Sequence, residues 1–215
     1  MYSQSAMYNV MILFLELIGT VAFAASGAMI GLKKKMDILG ICVLGCVTAV
    51  GGGVIRDVIL GLTPPKTFSH PIYIGVAILT SVICFIPAVQ RALKEKELLN
   101  SRLLLFMDAV GLGIFTVMGI QTAQQHSSSN SWFLLIFVGV VTGVGGGVLR
   151  DTLAGERPYI FVKHFYATAS LIGAVLCTLL WDHIDSTANM VICVLVIVVL
   201  RMLAASFRWK LPAAK

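Results

Sequence analysis

Charge is scarce in this chain. Only 12% of its 215 residues are Asp, Glu, Lys or Arg, against about 25% in ordinary soluble domains. Together with a mean hydropathy of +0.94, this excludes a soluble globular domain. The five cysteines, Cys42, Cys46, Cys84, Cys177 and Cys193, all fall in apolar runs and none has CxxC spacing. No disulfide framework or paired-cysteine metal site is therefore expected, and the thiols read as small hydrophobes. HExxH is missing, as is a serine nucleophile with a plausible base, so an intramembrane enzyme is not expected, nor is any cofactor. The glycine runs are not followed by GK[ST], which removes a phosphate-binding loop. Met1–Asn9 holds no Lys or Arg, so the first apolar run reads as a retained helix rather than a cleaved signal.

What the chain does have is apolar runs of membrane-crossing length. A helix needs about 20 mostly apolar residues to cross the hydrocarbon core. Seven segments qualify: Val10–Ile30, Ile38–Leu62, Pro71–Val89, Leu103–Ala123, Trp132–Ala154, Phe165–Trp181 and Ala188–Ala205. Fourteen of the sixteen basic residues fall on one side of this arrangement: Lys33, Lys34 and Lys35; Arg91, Lys94, Lys96 and Arg102; Arg150, Arg157 and Lys163; Arg201, Arg208, Lys210 and Lys215. Only Arg56 and Lys66 fall on the other. Cytoplasmic loops carry the excess of Lys and Arg. The N-terminus is thus expected outside and the C-terminus in the cytoplasm, in the cell (inner) membrane. The basic balance of +6 is accounted for by membrane topology and lipid headgroups, without nucleic acid.

The chain also repeats itself. Thr48–Pro65, TAVGGGVIRDVILGLTPP, matches Thr142–Tyr159, TGVGGGVLRDTLAGERPY, at ten of eighteen positions with an offset of 94. His70 falls on His164 at the same offset. Upstream, Glu16, Gly19 and Gly27 fall on Asp108, Gly111 and Gly119 at an offset of 92. The repeats run over about 9–90 and 101–182, with an extra helix over about 187–207. Each repeat holds three spans, an odd number, so the second enters the membrane inverted. Inverted repeats are a signature of transport folds with a site near the midplane. The fold expected is all-α and integral to the membrane: two inverted three-helix repeats plus one helix.

Gly51, Gly52 and Gly53, and Gly145, Gly146 and Gly147, lie mid-span. A run of three is costly in a helix, at about 1 kcal/mol each relative to Ala. Helices two and five are therefore expected to be broken there, with freed carbonyls lining an ion or solute path. Close packing is the competing reading; Gly139, Gly143 and Gly147 form one GxxxGxxxG row, and Gly27 and Gly31 another pair. Arg56–Asp57 and Arg150–Asp151 follow each run. An arginine at that depth pairs or faces a cavity. Glu16 is expected to serve Arg56, and Asp108 to serve Arg150; the alternative is that each Arg pairs with its neighbouring Asp. His70 and His164 read as helix-end residues, and Pro64 and Pro158 as helix stops.

The paired GGGVIRD and GGGVLRD, in the second and fifth of seven spans, resemble the bacterial branch of the trimeric intracellular cation channel family, over roughly Met7 to Arg208. That resemblance implies a homotrimer in membrane lipid, with one pore per protomer around helices two and five. The implied activity is passage of monovalent cations such as potassium. Some relatives in that family are described as glycine transporters, so a carrier for a small zwitterion is the alternative. The motif residues carried over are Gly51–Gly53, Arg56 and Asp57, with Gly145–Gly147, Arg150 and Asp151. Animal members have a Lys-containing stretch near the glycines of span two that binds phosphoinositide. Ile38–Leu62 holds no Lys, so lipid gating is not carried over.

Overall fold

The computed structural model describes residues 2–95, 97–126, 131–162 and 165–209. Lys96, Lys163, His164, Lys210 and Lys215, used above for topology and repeat, lie outside them. The described residues form ten helices: α1 Tyr2–Lys33, α2 Ile38–Ile59, α3 Lys66–Ser69, α4 Ile72–Phe85, α5 Pro87–Glu95, α6 Glu97–His126, α7 Trp132–Leu153, α8 Tyr159–Val162, α9 Tyr166–Leu180 and α10 Ser186–Ser206. Five stretches, in α1, α2, α6, α7 and α10, are long and apolar enough to span a bilayer; α4 and α9 are shorter apolar helices. The third expected span, Pro71–Val89, stops early. Ile86 is extended (ψ 131°), as a residue before proline prefers, and Pro87 opens α5 in the first-turn position where its missing N–H costs nothing.

Local signals set the ends. The Asp37 side chain accepts from Gly40 N at 2.7 Å and caps α2. Asp185 does the same for α10, accepting from Thr187 N and Ala188 N. Helices α2 and α7 end alike: Gly61 (φ 70°) and Gly155 (φ 68°) adopt the left-handed turn that lets the chain fold back on the last carbonyls. Each is followed by a four-residue helix, α3 or α8.

The glycine runs do not break the helices. Both α2 and α7 are uninterrupted α-helix through Gly51–Gly53 and Gly145–Gly147. The runs exist because the two helices cross with their backbones almost in contact. A methyl group on Gly52 would overlap the Thr142 carbonyl, and one on Gly146 would overlap the Thr48 carbonyl. The same closeness brings α1 onto α2 at Gly27, where a Cβ would lie 2.6 Å from Thr48 Oγ1, and α6 onto α7 at Gly119, 2.7 Å from Thr142 Oγ1. The Gly139–Gly143–Gly147 row packs α7 against Ile120, Thr116 and Tyr166, within the chain. A glycine in a helix costs propensity, but here it is the only residue that permits the crossing.

Several sequence mates also touch one another. Phe23 and Phe115, 92 apart, stack at 5.3 Å between centroids. A Cβ on Gly19 would meet Phe115, and one on Gly111 would meet Phe23. The start of α1 and the ends of α2 and α6 share one end of the bundle, around one cavity. The end of α1, the start of α6 and the end of α7 share the other, where Met29, Ile30, Leu104 and Ala154 pack together.

Candidate functional site

Each Arg-Asp pair is built the same way. At the α2–α3 end, Arg56 Nε donates to Asp57 Oδ1 at 2.8 Å, and Arg56 Nη2 is also 2.8 Å from that oxygen. The other carboxylate oxygen of Asp57 accepts from Lys66 N at 2.8 Å. At the α7–α8 end, Arg150 Nε and Nη2 both lie 2.8 Å from Asp151 Oδ1, and Asp151 Oδ2 accepts from Tyr159 N at 2.9 Å. Each Asp therefore holds its arginine and ties the following short helix to the end of the long one.

The third partner differs. Arg150 Nη1 donates to Asp108 Oδ1 at 2.6 Å and also to Ser26 Oγ. Both side chains of the Asp108–Arg150 pair are wholly buried. Glu16 does not pair with Arg56, contrary to expectation. It accepts a hydrogen bond from the Tyr73 hydroxyl of α4, and Arg56 is held by its neighbour Asp57. Tyr73 of α4 packs within reach of Glu16 on α1, and the Arg56 charge is already met by Asp57.

The two ends also differ in openness. At the α2–α3 end a cavity of about 480 Å³ is lined by Glu16, Thr20, Gly53, Arg56, Lys66, His70, Tyr73, Gln121 and Gln125, among others. It reaches Ala49, Val50 and Phe115, next to the glycine crossing. Gly53 is the one residue of the two runs among its lining residues. At the α7–α8 end Arg150 is enclosed: the Tyr159 ring lies 5.1 Å from its guanidinium. Burial pushes the Tyr159 phenol up to about 12, so at neutral pH this ring is uncharged. Arg201 of α10 stacks 4.8 Å over Tyr166, with Nη2 3.8 Å from Asp108 Oδ2.

Arg201, Tyr73, Tyr159, Tyr166 and Ser26 are absent from the sequence-derived site. Arg201 was assigned to the basic side facing headgroups. It is instead 2% exposed, and its place inside the run Ala188–Ala205 is the signal that marks it. Among the described residues no three or more His, Cys, Asp or Glu side chains cluster as a metal set, and the cysteines are free.

The family model described as "Glycine transporter" matches two stretches, residues 13–88 and 105–182. A chain solved for conductance through TRIC (trimeric intracellular cation) channels is 38% identical, with a TM-score of 0.81, over 94% of this chain and 96% of its own. This chain belongs to the bacterial TRIC channel family. A TRIC channel orthologue from Rhodobacter sphaeroides superposes with a TM-score of 0.81 at 32% identity, over 93% of this chain and 99% of that one. The inner membrane protein YadS of Escherichia coli K12 is 34% identical over 204 residues, 94% of this chain and 95% of its own. The TRIC family likeness thus covers nearly the whole chain. It makes the protein a multi-span helical membrane protein of a cation-channel family, and none of these three relatives is described as an enzyme.

Proposed function

We propose that this protein is a channel for monovalent cations, potassium among them, assembled as a homotrimer with one path in each protomer. The cavity carries the reading. It runs from the α2–α3 end to the glycine crossing, lined by amide, hydroxyl and carboxylate oxygens. An arginine near a pore repels cations unless neutralised. Asp57 neutralises Arg56, and Glu16, bonded to a neutral phenol, is the carboxylate left to face the path. Lys66 and His70 line it as well. Toward the α7–α8 end the route meets Asp108, Arg150, Arg201 and Tyr166, which close it in this conformation. The site residues are thus Gly53, Arg56 and Glu16 in the open half, with Arg150 and Asp108 in the closed half. Gly51, Gly52, Gly145, Gly146 and Gly147 hold the helices together between the halves, and Asp57 and Asp151 anchor the arginines.

In this reading α4 and α9 cross the membrane as well, giving seven spans as two inverted repeats and a closing helix. The basic loops put the N-terminus outside, so the cavity opens outward. The second reading, a carrier for a small zwitterion such as glycine, is favoured by one observation: Glu16 and Arg56 offer opposite charges within a single cavity. Planar-bilayer recording of the purified protein in KCl separates the two. Unitary cation currents that Glu16→Gln reduces support the channel. Silence in the bilayer, with saturable uptake of labelled glycine into proteoliposomes, overturns it for the carrier. Light scattering of the detergent-solubilised protein, corrected for bound detergent, tests the trimer.

A further inference from the structure

We propose that Lys66 sets the charge selectivity of the cavity: its ammonium offsets the carboxylate of Glu16, so that this half of the path draws cations only weakly over anions. The proposal rests on reading the cavity as part of the ion path. The two Arg-Asp units place different residues at the same point. Asp151 Oδ2 takes the backbone N–H of Tyr159 at the start of α8, and Asp57 Oδ2 takes the backbone N–H of Lys66 at the start of α3. Tyr159 lays its ring 5.1 Å from the Arg150 guanidinium and helps to enclose it. Lys66 offers no ring. It brings a second cation to the Asp57 that already holds Arg56, on a cavity that Arg56, Lys66 and Glu16 all line.

Each end gathers two cations and two carboxylates, but exposes them differently. At the α7–α8 end Arg150 and Arg201 face Asp108 and Asp151, and all four are buried. At the α2–α3 end Arg56 and Asp57 are buried and bound to each other, so their charges offset. Glu16 and Lys66 are both only partly buried. Glu16 is bonded to a neutral phenol, and among the described residues the Lys66 side chain makes no ion pair. These two are the charges left to act on an ion in the cavity. In a cleft with low-dielectric walls their fields add along its length. With Lys66 present the set is balanced; without it the cavity carries one net negative charge and concentrates cations. A lysine suits this task, being a compact, strongly hydrated point charge on a flexible stem. His70, also on the wall, adds to the cationic side only when protonated.

The test reads the potential in the cavity directly. Ile12 lines it, about one helical turn from Glu16 on α1. The full-length Ile12→Cys protein in lipid nanodiscs is reacted with a cationic and with an anionic methanethiosulfonate, subtracting the labelling of the native cysteines. Both reagents attack the same thiolate, so the ratio of their rates depends on the local potential. The buffer is held at about pH 8, where histidine is ordinarily neutral. In about 10 mM salt, adding Lys66→Gln should raise the cationic-to-anionic ratio about fivefold, since losing one positive charge helps one reagent and hinders the other. Adding Glu16→Gln instead should lower the ratio by a similar factor, and the two together should bring it back to the starting value. Lys66→Arg keeps the charge and should leave the ratio as it is; Lys66→Met carries the test if Lys66→Gln does not fold. In about 1 M salt the differences should collapse. A ratio that Lys66→Gln does not move, one that Lys66→Arg raises as much, or a double variant that stays with Lys66→Gln would each overturn the proposal. Reagent rates do not read permeation. A responsive ratio in a protein silent in KCl bilayers removes the channel reading and leaves the charge assignment standing, whereas unitary currents with an unresponsive ratio do the reverse.

Discussion

The three glycines of α2 are neighbours in sequence but not in consequence, and alanine substitution separates them. At Gly52 the added methyl would meet the Thr142 carbonyl and the backbone nitrogen of Gly146, neither of which can rotate away. Overpacking of this kind costs about 1–3 kcal/mol and sometimes more. The gain in helix propensity returns about 1 kcal/mol, leaving a net loss of up to about 2 kcal/mol. At Gly53 the nearest atom is Arg56 Nη2, at 3.8 Å. No clash opposes the propensity gain there, and Gly53→Ala should stabilise by about 0.5–1 kcal/mol. Gly51→Ala meets the end of the Leu149 side chain, which can turn, and should fall between the two. The assay is reversible unfolding of the purified protein in mixed micelles by increasing sodium dodecyl sulfate, read by tryptophan fluorescence. If all three substitutions destabilise alike, or if Gly53→Ala is the worst, the run serves a break in the helix rather than a crossing, and the packing account is wrong. Gly52→Ala with Gly146→Ala should also be non-additive, since the two methyls press on one contact.

Other outcomes follow from the charge sets. Asp108→Ala leaves Arg150 with Asp151 as its one carboxylate partner and Arg201 with no ion-pair partner among the described residues, both buried, and should cost about 3–5 kcal/mol in the same unfolding assay. Arg201→Met removes a guanidinium with two orphaned nitrogens while keeping much of its volume; it should be neutral or stabilising in thermal melts, and destabilisation beyond about 1 kcal/mol would show that the cation is needed. Asp57→Ala frees Arg56 and the Lys66 N–H together and should cost about 2–3 kcal/mol, with proteolysis between Leu60 and Pro71 increasing as α3 detaches. Tyr73→Phe releases Glu16 toward Arg56, so single-channel open probability should fall several-fold; an unchanged open probability would mean the phenol does not hold the carboxylate aside.

Much of this arrangement was legible because it rests on local rules. Apolar run length marked the long helices, whereas the left-handed caps at Gly61 and Gly155 went unread: the expected span Ile38–Leu62 runs through the first of them. The pairing of Asp108 with Arg150 could be anticipated from depth in the span alone. The glycine runs were read as breaks because propensity is a property of a single helix, whereas their cause is the carbonyl of a neighbour crossing at Thr48 or Thr142. Glu16 was matched to Arg56 from depth as well, but depth does not say which face of α4 brings Tyr73 alongside. Arg201 was counted among cytoplasmic charges by its nearness to the chain end, when the apolar residues on both sides of it place it inside the bundle. Tyr159 and Tyr166 carry no sequence signal that separates them from ordinary aromatic residues at helix starts.

The contacts between sequence mates tie the history of the two halves together. Where Phe23 meets Phe115 and Gly52 meets Gly146, each half presents to the other the surface it receives, as in a symmetric homodimer interface. A change on this seam must fit against its own counterpart, so a bulkier residue in one half demands a smaller one in the other. Away from the seam that restraint is absent, and there the halves have drifted apart: Glu16 against Asp108, Ser26 against Met118, Tyr73 against Ala167. Symmetry is kept at the seam between the halves, and individuality is left to the two ends, where direction across a membrane has to be told.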